Sequence, residues 1–208
     1  MTSEKHELKV TEKIVVKFDM CSSSTIIEDL TLRNDLKPLR NLLIRTKEFL
    51  VNESSSTGFI LYKFVGDGWI LLFPPDIGGL ELLTFLTRLS KRFKMKMEKK
   101  VLTMLDDVPA ITGLTFGVDR GQLVKVVMDG RDEYLGRALN VACRLQEAIK
   151  KGDPAPQYKV LMSRPVFHGF SDDLSNYKPE ESTKSLRNIK GGSSFRCVQL
   201  CLPIKRKR

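Results

Sequence analysis

Histidine, tryptophan and cysteine are scarce here: two, one and four among 208 residues. Neither His6 nor His168 has neighbours that would make an imidazole-based acid–base or zinc site. The cysteines Cys21, Cys143, Cys197 and Cys201 are scattered. Only the last two stand close, at C-x3-C spacing, and no second cysteine or histidine pair completes a zinc site. Reduced, mostly buried thiols are therefore expected. Long apolar runs are also missing. None approaches the roughly 20 residues that cross a bilayer, and the opening M-T-S-E-K-H-E lacks the apolar stretch of a signal peptide. A cytoplasmic protein without a membrane partner is expected. Internal repeats and low-complexity tracts are absent, and at 41% hydrophobic and 29% charged the chain is neither disordered nor fibrous.

What is abundant is positive charge, a formal +10, and it is local. Between Arg88 and Lys100 stand Arg88, Lys91, Arg92, Lys94, Lys96, Lys99 and Lys100 against the single acid Glu98; the tail Lys205, Arg206, Lys207 and Arg208 holds the rest. The remaining chain is formally neutral.

Apolar periodicity places the elements. Lys13 to Phe18 is short and β-branched, a strand that stops at Asp19-Met20-Cys21-Ser22-Ser23-Ser24. From Thr25 to about Glu53 helical spacing is interrupted at Pro38, predicting two helices, with a loop over 53–58. Phe59 to Val65 and Trp69 to Phe73, joined through Gly66-Asp67-Gly68, predict a hairpin. Leu80 to Leu105 is a long amphipathic helix whose polar face carries the basic cluster. A second hairpin is predicted from Ile111–Val118 and Leu123–Met128 around Asp119-Arg120-Gly121. A helix over Gly136–Lys150, a strand over Tyr158–Met162, a short helix over Arg164–Gly169, a loop over Ser171–Ser185 and a strand over Phe195–Leu202 complete the chain. The expected class is α+β, a mixed sheet covered by helices. A polar leader (1–12) and a basic tail (203–208) are expected to flank one domain over 13–202.

Two carboxylates, Asp19 and Asp67, stand where apolar strands end. If the strands are neighbours, the acids lie side by side, and paired acids without histidines suit hard divalent ions whose remaining positions phosphates fill. The run Met20, Cys21, Ser22, Ser23, Ser24 leads into a helix N-terminus, whose free N–H groups and hydroxyls suit a triphosphate. The same serines also serve as helix caps, and Asp67-Gly68 also serves as a plain turn. On the later helix Asn140 and Arg144 lie four apart on one face. Asn can fix a sugar, and Arg can neutralise charge on a transferring phosphoryl group.

The pieces F-D-M-C-S-S-S-T (18–25), K-F-V-G-D-G (63–68) and Y-L-G-R-A-L-N-V-A-C-R-L (134–145), in this order, resemble the catalytic domain of class III nucleotidyl cyclases. L-R-N-I-K-G (186–191) before a strand is similar to that family's last phosphate-side segment. The resemblance covers about residues 13 to 202. It implies a ferredoxin-like β-α-β-β-α-β core and a head-to-tail homodimer with shared active sites. Asp19 and Asp67, helped by the Met20 carbonyl, would hold two divalent metal ions, Mg2+ or Mn2+. Asn140 would orient the ribose of a nucleoside triphosphate, and Arg144 of the other subunit would stabilise the transition state. Cys21, Ser22, Ser23 and Ser24 would cradle phosphates. The family's phosphate lysine often lies where this chain has Gly192, so Lys190 or Arg196 would serve instead.

The base-reading positions would be Lys63 and Glu133. Glu133 stands where adenylate cyclases have Asp, and the Glu/Cys pair of guanylate cyclases is missing. Lys63 donating to O4 and Glu133 accepting from N3–H would suit uracil, and the same two groups would suit cytosine. The chain is similar in style to the free-standing pyrimidine cyclases of the bacterial Pycsar antiphage system, with uracil favoured and adenine the alternative. A nucleic-acid-binding module is the reading from a different class, since clustered Lys and Arg are the footprint of backbone binding. Only Phe93 interrupts the basic helix, on its apolar face, so base stacking is unsupported and a solvated face is expected.

Overall fold

A computed structural model describes residues 9–151, 153–170, 174 and 177–204. The tail Lys205–Arg208 and His6 lie outside these residues, as does most of the leader. The elements are β1 (Lys9–Met20), α1 (Ser23–Leu32), α2 (Lys37–Thr57), β2 (Ile60–Val65), β3 (Gly68–Phe73), α3 (Gly79–Lys100), β4 (Leu114–Met128), β5 (Arg131–Leu135), α4 (Arg137–Lys150), β6 (Lys159–Ser163), α5 (Arg164–Phe170), β7 (Glu180–Lys184) and β8 (Phe195–Cys201). They build an eight-stranded sheet in the order β2-β3-β1-β4-β6-β8-β7, with β5 paired to the far half of β4. Strands β1 to β4 run in the spatial order 4-1-3-2, so the first half is the ferredoxin-like core that the motifs implied.

The period of two along β1 divides the molecule. Ile14, Val16, Phe18 and Met20 face the larger core with α1, α2, α3 and α5; Val15 faces the smaller core under α4. Lys17 and Asp19 share the α4 side of that alternation. On this face Gly117 is what lets α4 lie against β4: a Cβ there would sit 2.0 Å from the Ala142 carbonyl oxygen and 2.4 Å from the Gln146 nitrogen. Gln146 Nε2 donates to Thr115 Oγ1 at 2.8 Å beside that contact and fixes the helix on the strand.

Four local expectations are corrected. Asp119-Arg120-Gly121 is no turn: it runs inside β4, in register with Val15, Ile14 and Lys13 of β1. The turn is Asp129-Gly130, where both residues have positive φ (51° and 71°) and Met128 pairs with Arg131, as a two-residue hairpin demands. Residues 53–57 are helix, because Ser54, Ser56 and Thr57 return their hydroxyls to carbonyls of the preceding turn, and α2 stops at Gly58 with φ 68°. α3 ends at Lys100, and Leu102–Met104 is a 3-10 turn. Finally, Glu180–Lys184 is a strand within the segment expected to be a loop. Its E-E-S-T-K lacks apolar alternation because it is the sheet's outer edge, where charge discourages further pairing.

The basic cluster lies on the solvent side of α3, opposite Phe85, Leu89, Phe93 and Met97. Parts of it are engaged: Arg88 pairs with Glu53, Arg92 lies over the Phe49 ring at 5.4 Å, and Lys94 is 3.9 Å from Glu98.

Candidate active site

Register brings the two acids together. Phe18 pairs with Trp69 and Val65 pairs with Gly68, so Asp67, in the two-residue turn Gly66-Asp67, stands beside the end of β1. Gly66 takes the positive φ that this turn requires (67°). Gly68 must lack a side chain, since a Cβ would fall 1.9 Å from the Phe18 carbonyl oxygen and 2.8 Å from Lys17 Nζ. The glycine thus sets how closely Asp67 approaches Asp19.

Burial works against charge on both carboxyls, but the outcomes differ. At Asp19 the neighbouring Lys17 and Lys150 outweigh burial and hold the carboxyl below its ordinary value. At Asp67 burial, with the adjacent Asp19 adding to it, pushes the carboxyl up. Lys17 Nζ donates to Asp19 Oδ1 at 3.1 Å and to the Phe18 carbonyl at 3.0 Å. Lys150 Nζ donates to Asp19 Oδ2 at 2.7 Å and to the Met20 carbonyl at 2.9 Å. Asp67 Oδ2 is buried without a hydrogen-bond partner.

This donor set fits a hard divalent cation: two carboxylates and a carbonyl, one buried oxygen orphaned, and an ammonium already resting on two of the others. Among the described residues no group of three or more His, Cys, Asp or Glu gathers for a metal. Further ligands would have to be phosphate or water.

The stretch after Asp19 is only partly open. The Cys21 N–H donates to the Gly113 carbonyl at 2.8 Å and the Ser22 hydroxyl to the Ile111 carbonyl at 2.7 Å, so these two donors are engaged within the chain. Burial pushes the Cys21 thiol up to about 11, so it is not a nucleophile. Ser22 has φ 55° and supplies the first helical acceptor, leaving Ser23 and Ser24 at the N-terminus of α1, where unsatisfied N–H groups collect. Ser23 lies beside Asp67 and favours its ionised form.

Lys63 and Glu133, seventy residues apart, meet. Lys63 Nζ is 3.1 and 3.0 Å from the two Glu133 oxygens. Tyr62, which sequence reasoning missed, donates its hydroxyl to Glu133 Oε2 at 2.5 Å and accepts the Tyr134 N–H at 3.1 Å, while its ring meets Tyr134 edge-on at 5.2 Å. Tyr62, then Lys63, hold Glu133 below the ordinary carboxylate range; Glu133 in turn raises Lys63.

Asn140 is exposed on α4, and Arg144 Nη1 donates to both Glu147 oxygens at 2.8 Å. Asn140 precedes Lys150 by ten residues, about 15 Å along the helix axis. Lys190 is exposed in the turn before β8, and Ser185 to Arg187 of that connection line a small cavity with Arg144 and Glu147. Lys17 and Lys150 escaped sequence reasoning. A lysine inside an apolar strand was a signal for the first, but nothing local marked the second.

No family model matches this sequence, and no curated protein does. Solved structures do. The adenylyl cyclase CyaB from P. aeruginosa aligns over 97% of this chain and 98% of its own, with a TM-score of 0.71 and 17% identity. The guanylyl cyclase Cya2 aligns over 93% of each chain, TM-score 0.70, 12% identity. An adenylate cyclase from Trypanosoma brucei aligns over 95% of this chain and 91% of its own, TM-score 0.65, 13% identity. No helix among the described residues is long and apolar enough to cross a membrane. An α+β sheet with the ferredoxin-like core, aligned nearly end to end with these proteins, gives the chain the fold of the class III nucleotidyl cyclase catalytic domain.

Proposed function

We propose that the protein is a nucleotidyl cyclase, converting a nucleoside triphosphate to a 3′,5′-cyclic nucleotide and pyrophosphate. The observation that carries this is the Asp19–Asp67 pair at adjoining strand ends, with the Met20 carbonyl beside it and a cation already seated on two of these oxygens. Asp19, Met20 and Asp67 would hold two divalent ions. Such ions, when bound, supply Lewis acidity that makes the ribose 3′-hydroxyl a better nucleophile and offsets charge on the triphosphate. Ser23, Ser24 and the α1 N-terminus bind phosphate oxygens. Asn140 holds the ribose so that its 3′-oxygen faces the α-phosphorus in line with the departing pyrophosphate. Arg144 releases Glu147 and donates to the equatorial oxygens as charge builds there, with Lys190 on the terminal phosphates.

In this reading the complete site joins Asn140 and Arg144 of one copy to the Asp19–Asp67 pair of another, as the resemblance to the cyclase family implies. Exposed Val127, Met128 and Leu135 of the β4–β5 hairpin and Phe64 and Val65 of β2 supply apolar surface for that homodimer.

The favoured base is a pyrimidine, UTP giving cyclic UMP ahead of CTP giving cyclic CMP. Glu133 is longer than Asp and is braced by Tyr62, so with Lys63 it forms a short donor–acceptor couple that fits the edge of a small ring. The Lys63–Glu133 pair is similar in style to that of the Pycsar pyrimidine cyclases, and on this reading the product serves cytoplasmic antiphage signalling. The adenylyl cyclases among the structural neighbours favour ATP as the second reading. Incubating pure protein with each of the four NTPs and Mn2+ or Mg2+, with mass identification of the product, tests both. Cyclic AMP alone refutes the pyrimidine assignment, and no cyclic product from any NTP refutes the activity.

A further inference from the structure

We propose that Lys150 is a built-in counter-ion that competes with the divalent cation for Asp19 and the Met20 carbonyl, so that metal enters only as the ammonium leaves. The inference rests on the metal assignment made above. Lys150 is the last residue of α4, and three features of the fold aim it. Gly117 admits the helix to the sheet, the Gln146–Thr115 hydrogen bond fixes its height, and the period of two along β1 turns Asp19 toward it. The ammonium donates to Asp19 Oδ2 and the Met20 carbonyl, two of the oxygens a metal would use, and an ammonium and a divalent cation seated on the same oxygens repel each other at short range.

Lys17 takes the other Asp19 oxygen but is a fixture, its side chain 8% exposed and bound to carbonyls of both Phe18 and Val65. The Lys150 side chain is 34% exposed on a flexible stem and is the cation free to move. With both lysines in place, two carboxylates face two ammonium groups and the cluster has no net charge. Removing Lys150 leaves it negative, and a divalent cation gains accordingly.

The test is Mn2+ titration of nucleotide-free protein, followed by the electron paramagnetic resonance of free Mn2+, on wild type, Lys150→Met and Lys150→Gln, each with and without Asp67→Ala. Both Lys150 variants are expected to bind Mn2+ about tenfold tighter, with Lys150→Arg near wild type, at a site that Asp67→Ala removes. Binding that depends on Asp67 but is unchanged or weaker in Lys150→Met and Lys150→Gln overturns the proposal and leaves the metal assignment standing. Absence of Asp67-dependent binding in every chain overturns both.

Discussion

Replacing Asp67 by Asn should make the metal-free protein more stable while destroying its activity. In the folded chain Asp67 Oδ2 is buried without a partner, and burial and Asp19 both oppose its charge. An unpartnered buried acceptor costs about 1–3 kcal/mol. The carboxamide removes the like charge and can donate to Asp19, so relief of about 1–2 kcal/mol is expected at neutral pH. For a domain of this size that raises Tm by about 2–8 °C. The assay is thermal unfolding in EDTA and again with Mg2+ or Mn2+, beside cyclase activity. Wild type should gain stability with metal because ligands of the native state shift its unfolding equilibrium; the variant should gain little. A variant less stable than wild type in EDTA, or one that still cyclises nucleotide, would refute the reasoning.

Mixing Asp67→Ala chains with Arg144→Ala chains should restore part of the activity that each lacks alone, since a mixed dimer retains one intact site; no recovery in the mixture sinks the shared-site arrangement. Glu133→Gln removes the charge that Lys63 and Tyr62 hold and should lower discrimination among the four NTPs while leaving Tm nearly unchanged, because the pair is solvent-facing. Competition between nucleotides reads this directly. Gly117→Ala forces a Cβ against the α4 backbone and should cost about 3 kcal/mol or more, measured by urea unfolding; a neutral effect would mean the helix does not dock there. At pH 8 exposed Cys201 should alkylate first, whereas burial pushes the Cys21 and Cys197 thiols up to about 11 and keeps them neutral until the chain unfolds. Intact-mass measurement of early Cys21 modification would contradict that burial.

The adjoining ends of β1 and the β2–β3 hairpin were legible because strand periodicity and a Gly-Asp-Gly turn are local signals, and register then follows from them. The second hairpin was misplaced for the same reason. Asp119-Arg120-Gly121 has turn chemistry, yet twelve consecutive pairings with β1 hold it extended, and the turn falls to Asp129-Gly130. β7 was illegible because an edge strand need not alternate.

By itself the sequence determined which residues are apolar with which period, hence the helices, the inner strands and the ordering of motifs that resembles a cyclase. Only tertiary structure decided that Tyr62 braces Glu133, that Cys21 and Ser22 spend their donors on 111–113, and that Lys150 reaches Asp19 across 131 residues. Those contacts depend on how α4 seats on Gly117, how the β4–β5 hairpin meets β2 and how the chain before β4 lies beside the end of β1. Such docking is set by shape complementarity between distant surfaces, which no local spacing encodes.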